Sequence, residues 1–273
     1  MSTTILVIEL LFFVGVFSYY LPSFSSSKAP NFHESTTRTA IPDEANKIVG
    51  GTPALEGEFP YQAFLNLSIR SCGGTLISPS IVLTAAHCFE GLTVASTSAF
   101  TVTVNTTKRI GGIGAVRRGV KKFVVHPLFN KKTFDNNVAL LALSYPIKNV
   151  RLVKLPSAYT TSTYAGRKAV IVGWGDTSSG GRNSNNLLKA TVTVLTNEAF
   201  SLQYKKLNTT ITNNMVCAAA PGKDTCQGWP LLVEGVQIGI TSFGAACADP
   251  RFAGVYTRVT RYITWIKATS YAI

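Results

Sequence analysis

An all-β fold is predicted by three features of the sequence. Short runs alternate apolar and polar residues with period two, as in Phe100-Thr-Val-Thr-Val104 and Leu188-Lys-Ala-Thr-Val-Thr-Val194, the pattern of a strand with one buried face. Gly, Pro, Asn and Ser separate these runs at close intervals and supply the turns. Helical periodicity is confined to a short piece after Thr196 and a C-terminal piece where Val259, Tyr262, Ile263 and Ile266 follow i, i+3, i+4, i+7. Val170-Ile-Val172 and Val236-Gln-Ile-Gly-Ile240 add further strands. With 46% hydrophobic and 14% charged residues over 273 positions, the chain can bury a sizeable core, and disorder is excluded. One large all-β domain or two smaller ones fit that length.

Residues 5 to 17 form an apolar run interrupted by Glu9, of export-signal length and too short for a membrane span. Residues 1–20 are therefore expected to be a signal peptide and the protein to be secreted, with no membrane anchor. Residues 21–47, rich in Ser, Thr, Pro and Ala without apolar periodicity, read as a pro-segment, leaving 48–273 as the folded domain. Five cysteines in an exported chain imply disulfides with one thiol left over. Asn66, Asn105 and Asn208 head Asn-x-Ser/Thr sequons, which mark candidate glycosylation sites.

Six motifs follow one another in a recognisable order: Ile48-Val-Gly-Gly51, Cys72-Gly-Gly74, Thr84-Ala-Ala-His-Cys88, Gly173-Trp-Gly175, Asp224 to Gly228, and Gly254-Val-Tyr256. Together they resemble the trypsin-like (peptidase S1) serine proteases from Ile48 to about Lys267. The resemblance implies a double six-stranded β-barrel with a C-terminal helix. It further implies zymogen activation by cleavage between Lys47 and Ile48, and disulfides Cys72–Cys88 and Cys226–Cys247. Cys217 matches half of a third bridge whose other position holds Ala199, so it is expected to be a free, buried thiol. No cofactor and no metal are expected.

The resemblance breaks at the chemistry. Lys223-Asp224-Thr225-Cys226-Gln227-Gly228-Trp229-Pro230-Leu231-Leu232 matches the family segment that carries the nucleophile, but Trp229 stands where the family has Asp-Ser-Gly-Gly. Acyl transfer of this kind needs a hydroxyl beside a base and N–H groups aimed at the developing oxyanion. His87 occupies the position of the general base. Asn137, in Asn136-Asn137-Val138-Ala139-Leu140-Leu141, occupies the position of the triad Asp, and an amide there favours the wrong imidazole tautomer, at a cost of about 10⁴ in turnover. Asp135, two residues upstream, lies too far along an extended strand to replace it. Asp224 matches the floor of the Lys/Arg specificity pocket and Gly244 and Gly254 its open walls, with Phe243 in place of a usual Trp and Ala246 of a usual Gly; Trp229 is expected to fill that space.

Eight Lys or Arg and no acidic residue lie between Lys108 and Lys132. Of these, Arg117, Arg118, Lys121 and Lys122 form a candidate exosite for an anionic partner. Three functional readings follow. The first is a secreted homologue without catalysis, hence not an enzyme, that binds a protein partner, a protease or a protease inhibitor. The second is a trypsin-like endopeptidase cleaving after Lys or Arg, in which Asp-Ser-Gly-Gly is missing through a sequence or splice artefact. The third is a module that binds sulfated glycan. Nucleic acid is not an expected partner of an exported chain.

Overall fold

The computed structural model describes residues 51–175, 184–220, 229–244 and 252–273, all within the compact unit Asp43–Ile273. The expected signal peptide and pro-segment, Lys47, Ile48, Asp224, Cys226, Ala246 and Cys247 lie outside them.

The double barrel is present. Six antiparallel strands, β2 (Gln62–Asn66), β3 (Ser71–Ser78), β4 (Ile81–Thr84), β5 (Thr101–Val104), β6 (Val116–Val125) and β7 (Ala139–Leu143), close a first barrel in the order β2-β3-β4-β7-β6-β5. A second set comprises β8 (Lys168–Gly173), β9 (Leu188–Leu195), β10 (Met215–Ala219), β11 (Pro230–Val233), β12 (Val236–Phe243) and β13 (Gly254–Arg258). It runs β9-β10-β13-β12-β11-β8 and closes through β8–β9 pairing, with β1 (Thr52–Pro53) added to β9. Closure leaves few strand edges open.

Alternation has the expected consequence: every second residue of β9 from Leu188 to Val194 is buried, as are Val102 and Val104 of β5. One apolar cluster lines the first barrel and continues across the seam through Val172, Trp174, Leu187, Trp229 and Ile240. The helix α1 (Asn197–Lys205) starts after Thr196, whose side chain accepts from the Ala199 N–H. The C-terminal helix α2 spans Ile263–Ala272. Val259 and Tyr262, expected to share its periodic face, precede it: Val259 sits in a 3-10 turn and Tyr262 is the residue at the helix start, its carbonyl accepting from the Ile266 N–H at 2.7 Å. All four apolar positions are nonetheless buried. Among the described residues no helix is long and apolar enough to cross a membrane.

Candidate active site

His87 rides on a 3-10 turn, Ala86–Phe89, directly after β4. Two constraints hold that turn. A disulfide joins Cys88 to Cys72 of β3, with Cα atoms 6.2 Å apart, as the resemblance implied. Arg70 donates from one guanidinium nitrogen to the His87 carbonyl and from another to that of Glu90. The two sulfurs lie close enough to His87 to form a metal-like triad, but both are consumed in the disulfide.

Asn137 lies just before β7 and is fully buried. Its Oδ1 accepts from the His87 main-chain N–H at 2.9 Å, and its Nδ2 lies 2.9 Å from His87 Nδ1 and donates to Ser242 Oγ at 2.8 Å. Thr257 Oγ1 donates to the Asn137 carbonyl at 2.7 Å. The main-chain N–H can only donate, so it claims Oδ1 and leaves the amide NH₂ to face the ring. Nδ1 must therefore accept, and the single ring proton resides on Nε2. That is the opposite of what a general base needs, because a nucleophile's proton must be taken by Nε2. Burial pushes the His87 pKa down to about 4, with help from the Arg70 charge, so the ring is neutral at pH 7.

Asp135 does not replace the missing carboxylate. Its oxygens accept from Thr212 Oγ1 at 2.9 Å and from Asn214 Nδ2 at 3.1 Å, which ties this loop to the second barrel. Between them, Asn136 has φ of 56° and accepts from the Tyr262 hydroxyl.

Ser242, Thr257 and Phe134 were not singled out from the sequence. Ser242 and Thr257 lie on β12 and β13 and reach Asn137 only once the barrels close, although Ser242 directly precedes Phe243. Phe134 packs edge-on to the His87 ring, centroids 6.1 Å apart, and against Phe243 at 5.6 Å. Its φ of 55° is unusual for a bulky side chain. Gly244 follows β12 and Gly254 opens β13; these strands pair, with Phe243 opposite Val255, so both pocket-wall positions sit at one end of the second barrel.

The indole of Trp229 fills the seam between the barrels instead of the specificity slot expected for it. A Cβ added at Gly73 of β3 would lie 2.1 Å from its Cε3, and one at Gly173 of β8 only 2.3 Å from its Cδ2. Trp174 packs against it at 5.8 Å, and the residue is 3% exposed. The physical reason is room: with no side chain at Gly73 or Gly173 the ring lies against both strands, and burial of its carbon surface is favourable although the indole N–H has no partner among the described residues.

The remaining predicted residues are dispersed. Cys217 of β10 is a buried free thiol packed with Tyr204, Met215, Ala253 and Val255, and burial pushes its pKa up to about 12, which leaves it unreactive. Asn66 and Asn208 are exposed, whereas the Asn105 amide donates to the Gly114 carbonyl at 2.8 Å and is followed by buried Thr106 and Thr107. Arg117, Lys121 and Lys122 are exposed on β6, and Arg118 is half-buried.

The trypsin family profile matches residues 48–266, and the chain belongs to that family of serine proteases. It is 36% identical to "Trypsin Blo t 3" of Blomia tropicalis across 81% of this chain and 85% of that protein. It is 37% identical to anionic trypsin of Bos taurus across 83% and 91%, and 37% identical to the trypsin of Phaedon cochleariae across 81% and 87%. These relatives correct the expectation of a non-enzyme: proteins 34 to 37% identical over most of the chain are named trypsin, which points to a serine protease.

Proposed function

We propose that the protein is an exported, trypsin-like serine endopeptidase that cleaves after Lys or Arg, in a form that carries Asp-Ser-Gly-Gly where this sequence has Trp229. The observation that carries this reading is the retained frame around His87. The disulfide, Asn137, Ser242 and Thr257 hold the imidazole across the seam, and the indole of Trp229, next to the start of β11 at Pro230, lies in the same seam. A seryl hydroxyl delivered on the Gly228 side of Pro230 meets a base whose position is already fixed. The Asp of the same segment gives the Ile48 amine, freed by cleavage after Lys47, a carboxylate partner, and Asp224 supplies the charge that selects Lys or Arg.

Asn137 sets the rate of that form. It holds the ring proton on Nε2, where the Ser proton has to arrive, so an Asp at 137 reverses the tautomer and stabilises the imidazolium. The test has two parts. Sequencing the transcript across Gly228 to Pro230 should reveal the four-residue segment. Replacing Trp229 with Asp-Ser-Gly-Gly, in protein processed after Lys47, should yield labelling by an organophosphate and hydrolysis of Arg esters, and adding Asn137→Asp should raise turnover by about 10⁴. Failure of the doubly altered protein to label overturns the proposal.

A second reading concerns recruitment. None of Arg117, Arg118, Lys121 and Lys122 forms an ion pair among the described residues, so the β6 face keeps its charge for an anionic partner, for which a sulfated glycan or an acidic protein such as an inhibitor is suited.

A further inference from the structure

A cavity of about 450 Å³ lies on the second barrel, away from His87. It is walled by the segment around Thr160–Thr163, the start of α1 at Thr196–Glu198, and the turn from Arg258 to Arg261. Its lining is donor-rich for reasons that can be followed atom by atom. Thr160 Oγ1, Ser162 Oγ and Thr163 Oγ1 each accept a main-chain N–H two residues ahead, which leaves each hydroxyl proton to be donated elsewhere.

Arg258 donates Nε to the Met215 carbonyl, Nη1 to that of Thr163 and Nη2 to Asn197 Oδ1. Arg261 donates Nε to the Asn213 carbonyl. A guanidinium has five N–H groups, so two on Arg258 and four on Arg261 have no acceptor among the described residues. Glu198 is the acidic side chain of the lining and leaves the two guanidiniums in excess. Burial lowers the Arg258 pKa and the neighbouring Arg261 charge lowers it further, against the smaller opposing effects of Cys217 and Glu198. The first N–H groups of α1, which no helical carbonyl can satisfy, add to the same field.

We propose that this cavity binds an oxyanion, a sulfate, phosphate or carboxylate group, either free or carried on a sugar. Such a ligand offers several acceptors to the hydroxyl and guanidinium donors of the lining. Arg258 and Ser162 form the fixed wall, and exposed Arg261 closes over the ligand.

The test titrates the full chain with sodium sulfate, and separately with a sulfated heparin disaccharide, at constant ionic strength, following amide chemical shifts. Saturable shifts at residues 160–163 and 196–198 are expected with both probes. Arg261→Gln, at the surface, should weaken binding about tenfold without changing the melting temperature, and Ser162→Ala should weaken it less. Lys148→Gln, exposed and outside both this cavity and the β6 face, should have no effect. Tighter binding of the disaccharide than of sulfate assigns the anion to a sugar; equal binding assigns a free oxyanion. Absence of saturable shifts at residues 160–163 and 196–198, or shifts there that Arg261→Gln leaves intact, overturns the proposal.

Discussion

His87 shows how one amide changes an inherited geometry. Its neighbours are placed as a serine protease requires, yet the Asn137 NH₂ donates where a carboxylate would accept. The ring is therefore neutral and protonated on the wrong nitrogen. A pH dependence follows. The folded-state pKa of about 4 lies below the ordinary value of 6.5, so the unfolded chain takes up this proton first as pH falls. The stabilisation is complete above pH 6.5 and is lost progressively as pH falls toward 4. Urea midpoints measured across that window should fall more steeply for the parent than for His87→Gln, and the His87 ring resonances should titrate near pH 4; titration near 6.5 would refute the assignment. Asn137 could be read from the sequence because its neighbours spell the family segment. The orientation of its amide could not, because that is decided by the main-chain N–H of a residue fifty positions away.

At the scale of elements, β3 and β8 meet Trp229 through glycines. Adding a methyl group at Gly73 or Gly173 drives it into the indole, and the ring, held by Trp174, cannot turn aside. Gly73→Ala should therefore destabilise the protein by about 2 kcal/mol or more, and Trp229→Ala by about 3–5 kcal/mol through the cavity it leaves. Combining them should recover part of the loss, because the methyl group then enters vacated space. A double-mutant cycle by urea denaturation measures the coupling; additive effects would show that ring and glycines do not share the slot. Strand positions were legible from period-two alternation. The destination of Trp229 was not, since it depends on two glycines a hundred positions apart that meet the indole only in the folded barrels.

On the whole molecule, charge separates into regions. Acidic groups near the surface are partly neutralised, as in Lys189 with Glu58 and Arg167 with Glu234, whereas the β6 face keeps its cations. Retention on heparin should fall sharply when Arg117, Arg118, Lys121 and Lys122 are all replaced by Ala, and the variant should elute at lower salt, because fewer counterions are displaced from the polyanion when it binds; unchanged retention would place the anionic partner elsewhere. The double barrel was legible because six motifs appear in family order, and alternation alone stopped at an all-β class. The cavity near Arg258 was not legible, because its walls come from segments as far apart as Ala158 and Arg261.

The seating of Trp229 constrains how this junction can ever be rewritten. Lengthening the chain beside Pro230 while keeping the indole leaves the slot occupied, and removing the indole without adding residues leaves a hole. Insert and side chain must be exchanged together, so no single-codon substitution converts this junction into one with Asp-Ser-Gly-Gly, and a designer who changes only one half should expect a misfit.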